Sequence, residues 1–60
     1  MKVYELAHWQ YWYDRTYKCW YAAEFNTKGD QVSECIDSYT KTEIIDLILK
    51  EINYAKTILT

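Results

Sequence analysis

The chain has 60 residues, half of them hydrophobic and 18% aromatic, and its formal net charge is −2. A composition this apolar excludes an intrinsically disordered chain, and the near balance of charge argues against a generic polyanion binder, which is normally basic. A chain of this length buries only roughly 60% of its unfolded surface, so its core is marginal. We therefore expect residues 1–60 to form one compact domain that gains stability from self-association.

Residues 2–13 are rich in Tyr, Trp and Val, which favour a β-strand. The alternation is imperfect, because Tyr4 and Leu6 occupy even positions whereas the aromatic residues that follow occupy mainly odd ones. A bulge near Ala7 and His8 would bring both sets to one face, since one extra residue flips the pleat. The sequence does not decide between a strand with this bulge and a strand without it.

Two further strands are predicted, over residues 17–26 and 31–39. The polar residues Asp14, Arg15 and Thr16 predict a turn before the first of them. The segment 26–30 is the clearest turn of the chain, because Gly29 adopts a positive φ at low cost.

The register of this second hairpin is predicted from its loop. A two-residue loop at Lys28 and Gly29 would place Phe25 opposite Val32 and Tyr21 opposite Ile36. This register is favoured because it stacks the best apolar pairs on one face.

Residues 41–59 predict an amphipathic helix. Thr40 or Thr42 can cap its start. Its main apolar stripe consists of Ile44, Ile45, Ile48, Ile52, Ala55 and Leu59. A second apolar line runs along one flank of the helix, at Leu47, Tyr54 and Ile58, and we interpret it as a dimer interface because one small sheet cannot cover so broad an apolar surface.

The predicted fold is α+β, a three-stranded antiparallel β-meander followed by one C-terminal amphipathic helix. One helix covers one face of the sheet, so we expect Trp20, together with either Trp12 or the aromatic residues at positions 9, 11 and 13, on the uncovered face. Exposed Trp and Tyr side chains are enriched among binding hot spots. The predicted partner-binding residues are Trp9, Tyr11, Trp12, Tyr13 and Trp20.

No motif predicts catalysis, a cofactor or a metal site. The soft metal ligands His8, Cys19 and Cys35 are three scattered residues, whereas a structural zinc site needs four ligands. In the predicted register the two cysteines lie on opposite faces, which predicts two free thiols. Without a signal peptide or a long apolar segment, the chain is expected in the cytoplasm and not in a membrane.

Two nucleic-acid hypotheses remain. Arg15 and Lys18, interleaved with Tyr17, Trp12 and Trp20, could form a stacking platform for a single strand, but the acidic balance of the chain argues against nucleic acid as a partner. Alternatively, the spaced carboxylates of the second half of the chain could imitate a phosphate backbone.

At the level of protein class, the chain resembles the small proteins that bacteriophages encode to inhibit host enzymes and defence systems. The likeness is carried by Trp9–Tyr13, Tyr17–Tyr21, the Gly29 turn and the helix over 41–59. It implies a non-catalytic homodimer that binds and blocks a host protein in the host cytoplasm. A weaker likeness is to antitoxin-like modules of the same predicted element order.

Overall fold

The computed structural model describes the backbone of residues 1–59 and the side chains of residues 1–56. Within this part of the chain the elements are β1 (Val3–Leu6), β2 (Trp9–Asp14), β3 (Cys19–Glu24), β4 (Ile36–Ser38) and α1 (Lys41–Leu59). The strands form one antiparallel sheet in the order β1-β2-β3-β4. The α+β class, the meander and the C-terminal helix are confirmed, whereas the sheet has four strands instead of three.

The additional strand arises at Ala7 and His8, which form a tight turn and divide the predicted first strand in two. Ala7 adopts a φ of 55°, a left-handed conformation that is uncommon for alanine. Leu6 therefore pairs directly with Trp9. Tyr4 and Leu6 share one face with Trp9 and Tyr11, as in the alternative with a bulge, but a hairpin turn places them there instead of a bulge.

The other predicted turns are also present, with a different loop in the second one. At the first, the Oδ1 atom of Asp14 accepts hydrogen bonds from the backbone N–H groups of Thr16 at 2.8 Å and Tyr17 at 3.1 Å. At the second, Gly29 has a φ of 88°, and the Oδ1 atom of Asn26 accepts hydrogen bonds from the backbone N–H groups at positions 28 and 30.

The two-residue loop and the register derived from it are wrong. Phe25 pairs with Gln31, and Tyr21 pairs with Asp37. The side chain of Asn26 holds a wider loop, and the Oγ atom of Ser33 accepts the Glu24 N–H at 2.9 Å where a regular ladder would supply a carbonyl. Between the Phe25–Gln31 pair and β4, residues 32–35 therefore do not continue the regular β-sheet pairing.

The helix has the predicted bounds, Lys41–Leu59. Thr40 is the residue that caps it, because its Oγ1 atom accepts the Glu43 N–H at 3.1 Å. Ile44 and Ile48 are fully buried against the sheet. The core cluster comprises Trp9, Tyr11, Ala22, Ile44 and Ile48. The helix therefore covers the face of the sheet that carries Trp9 and Ala22.

Candidate functional site

The side of the sheet opposite the helix is termed the open face. Strand alternation and the observed pairing assign nine residues to it: Val3, Glu5, Gln10, Trp12, Asp14, Cys19, Tyr21, Ala23 and Asp37. Across the four strands, Val3 pairs with Trp12, Trp12 pairs with Tyr21, and Tyr21 pairs with Asp37. The central strands thus present an aromatic pair on the layer that the helix leaves uncovered.

The centre of the open face is apolar. The rings of Trp12 and Tyr21 stack with centroids 6.4 Å apart and planes inclined by 27°. Both side chains are half-buried, and Val3 beside them is 45% exposed. Cys19 and Ala23 are small and buried, so they add no projecting atoms. The result is a shallow surface dominated by two large, preorganised rings.

Carboxylates surround this centre. Glu5, Asp14 and Asp37 belong to the open face, which contains no lysine or arginine. The side-chain hydrogen bond between Tyr21 and Cys19 raises the pKa of Tyr21 to about 12, with further contributions from burial and from the nearby charges of Cys19, Asp14 and Asp37. Tyr21 is uncharged at neutral pH with or without this shift, so the charge of the face comes from its acidic rim.

The structure separates the five predicted partner-binding residues. Trp9 and Tyr11 are only 5% and 8% exposed and belong to the core, so the expectation that they contact a partner from the uncovered side is corrected. The hairpin at Ala7 is the physical reason, because it turns both rings toward the helix. Trp12 alone of the five lies on the open face.

Trp20 lies on the helix-covered side, contrary to expectation, because it shares the alternation of Ala22. It belongs to an aromatic–cation cluster, defined here as Lys2, Tyr4, Tyr11, Tyr13, Trp20 and Lys41. The ring centroids of Tyr4 and Tyr11 are 5.3 Å apart, and those of Tyr13 and Trp20 are 5.6 Å apart.

Two ammonium groups complete this cluster. The Nζ atom of Lys41 lies 4.1 Å from the centroid of the Tyr4 ring, and the Nζ atom of Lys2 lies 5.0 Å from it. The cations predicted from the sequence are Arg15 and Lys18, whereas the structure places Lys2 and Lys41 at this cluster. The position of Lys41 in the sequence could have indicated this, since it begins the helix directly after β4, the strand that pairs with Trp20.

The predicted dimer residues occupy different environments. Leu47 is half-buried and packs against the core, whereas Tyr54 is 66% exposed. Ile58 lies outside the residues whose side chains the structure describes. Tyr54 also lines an open cavity of about 290 Å³ between the first hairpin and the helix, together with Trp9 and Ile52. A dimer interface at these positions stays a prediction.

Cys19 and Cys35 are free thiols, the first buried and the second exposed. Among the described residues, no group of three or more His, Cys, Asp or Glu side chains could hold a metal ion. No helix in the described range combines the length and the apolar character needed to cross a membrane. Comparisons with protein-family models, with curated proteins and with solved structures find no match to this chain.

Proposed function

We propose that the chain is a non-catalytic protein-interaction module that binds a basic surface of another protein through its open face. The observation that carries this proposal is the stacked Trp12–Tyr21 pair on an uncovered sheet face with a rim of carboxylates. The mechanism is steric: the module occupies the partner's surface and blocks it, as a small inhibitor of a host protein would in the cytoplasm.

The chemistry of the open face supports a protein partner. Trp and Tyr contribute large, rigid contact areas and are enriched among residues that dominate binding energy. Carboxylates around such a centre attract a basic surface and accelerate encounter, with a strong dependence on ionic strength. Trp12 would be the anchor, and Asp14 and Asp37 would steer approach and select against acidic partners.

Self-association through the helix is part of this proposal. Tyr54 and Leu49 are 66% and 42% exposed on the layer opposite the open face, so a twofold contact there would leave both open faces free. Sedimentation at tens of micromolar should give a species of twice 7.3 kDa. The double variant Leu47→Glu/Ile58→Glu should be monomeric, and a wild-type chain that sediments only at 7.3 kDa would refute the dimer.

The partner is tested by affinity purification from host lysate with three matched baits. The wild-type chain and the control Lys50→Gln should retain the same protein, and Trp12→Ala should lose it. With that protein purified, truncation of Trp12 should weaken binding by roughly 2 kcal/mol, the size of a hot-spot residue. Equal retention by Trp12→Ala and wild type, with the variant folded by circular dichroism, would contradict the assignment of the open face.

A further inference from the structure

The aromatic–cation cluster lies on the other side of the sheet from the open face and has a different chemistry. We propose that it is a binding site for nucleoside phosphates, supplied as free nucleotides or as the nucleotides of a single strand. Its lysines would hold the phosphates, and its exposed tyrosine would stack on the base. This inference does not rest on the function proposed above.

The lysines provide the phosphate-binding half of the site. Both ammonium groups lie within 5.0 Å of the centroid of one ring, that of Tyr4. Neither has a carboxylate partner among the described residues. Both cations border the same aromatic cluster, and the Nζ atom of Lys41 also lies 6.0 Å from the centroid of the Trp20 ring, so each can contact a phosphate of a ligand that lies along the cluster. A phosphate is the common biological anion that lysine binds in this manner.

A groove extends the site beyond the lysines. It has a volume of about 510 Å³ and is lined by Lys2, Tyr13, Asp14 and Arg15, among others. Asp14, the open-face residue at the end of β2, also lines this groove at the end of the sheet, and its Oδ1 atom already accepts two backbone hydrogen bonds, at 2.8 and 3.1 Å. Lys2 and Arg15 therefore give the groove a positive balance that continues from the cluster.

Tyr13 provides the base-binding half. Its side chain is 38% exposed, and its ring meets Trp20 at an angle of 63°. Trp20 in turn packs within 6.2 Å of the buried Tyr11 ring, so the platform is anchored in the core. A base stacking on Tyr13 would need little further ordering of the protein, and stacking on an aromatic ring accepts every base.

The local charge at the aromatic–cation cluster is positive, although the whole chain has a formal net charge of −2. Glu5 and Asp37 lie on the open face and the cations of the cluster lie on the opposite side of the sheet, so the overall balance conceals two patches of opposite sign. Asp14, at the end of β2, borders both. Composition argues against nucleic acid as a partner of the whole chain, whereas the placement of Lys2 and Lys41 favours it at this one position.

The experiment measures tryptophan fluorescence quenching on titration with ATP, with an oligothymidylate and with tripolyphosphate. ATP or the oligonucleotide should bind more tightly than tripolyphosphate, because only the first two offer a base. Lys2→Gln/Lys41→Gln should weaken this binding at least tenfold and reduce the salt slope for the oligonucleotide by about 1.4, at roughly 0.7 per phosphate contact. The matched control Lys50→Gln/Lys56→Gln, with the same change in charge, should bind like wild type.

Tyr13→Ala should weaken nucleotide binding about tenfold, as expected for the loss of one stacking contact. Preference for ATP would identify a free nucleotide as the ligand, and preference for the oligonucleotide would identify a single strand. Equal binding of tripolyphosphate, equal effects of the two lysine pairs, or no quenching at millimolar probe would overturn the proposal. Trp12→Ala should leave the affinity unchanged, which keeps this test separate from that of the open face.

Discussion

The two faces of the sheet are made by alternate residues of the same strands, yet they differ in what covers them. On one face, Trp9, Tyr11 and Ala22 are buried under the helix. On the other, Trp12 and Tyr21 form a stacked pair with no helix above it. Neighbouring aromatic residues of one strand therefore occupy different environments, one in the buried core and one on the uncovered side of the sheet.

The largest expected effect separates Tyr11 from its neighbour Trp12. Tyr11→Ala should destabilise the domain by roughly 3–5 kcal/mol, because it removes a buried ring from the core. Trp12→Ala should cost distinctly less, since its side chain is only half-buried. Urea denaturation of both variants measures the difference, and equal losses of stability would mean that the open face is as structural as the covered one.

The helix allows the same comparison with aliphatic residues. Ile48 is fully buried whereas Leu49 is 42% exposed. Ile48→Ala should cost about 3 kcal/mol through lost burial and the cavity it leaves, and Leu49→Ala should cost under about 1 kcal/mol. Thermal denaturation at low protein concentration gives both values. A larger loss for Leu49→Ala would indicate that this side of the helix is covered in solution.

The cap at Thr40 fixes where the covering helix begins. Thr40→Ala removes the acceptor of the Glu43 N–H and should cost about 1 kcal/mol. Thr42→Ala is the matched control, because Thr42 is exposed within the helix and does not cap it. Because alanine has the higher helix propensity, Thr42→Ala should not lose stability, and equal losses for the two variants would contradict the assignment of Thr40 as the cap.

The smallest effect probes the open face through pH. The pKa of Tyr21 is about 12 in the folded chain against a reference value of 10.0, so folded protein keeps this proton after unfolded chain has lost it. The stability that this group contributes is complete below pH 10 and is lost as the pH rises toward 12. Denaturant midpoints across this range should fall less steeply for Tyr21→Phe than for the control Tyr54→Phe.

The sequence predicted best those features that a continuous pattern records. The helix over 41–59 has apolar residues at helical spacing with neither glycine nor proline inside it, and its observed bounds agree. The turn at Gly29 was predictable because glycine reaches a positive φ cheaply. These signals are local, so one sequence was sufficient to read them.

The features that were missed depend on tertiary context. Nothing at Ala7 marks a hairpin, since alanine is not a usual residue for a φ of 55°. The register of the second hairpin depends on side-chain hydrogen bonds from Asn26 and Ser33, which no alternation pattern encodes. In the observed register Ile36 pairs with Ala22 instead of Tyr21, so the apolar face of this hairpin is the one that carries Trp20 and not the one that the sequence predicted.

The order of the strands in the sheet is also their order along the chain, β1-β2-β3-β4. Turns of two and four residues join the first three strands, whereas the eleven residues 25–35 separate β3 from β4, so each strand pairs with its neighbour in the chain and only the last pairing closes a longer loop. Chains with such local pairing fold faster than those with distant pairing, on a timescale set by hairpin formation. We expect the first hairpin to form early and the helix to dock last, so that burial of the core is the final event of folding.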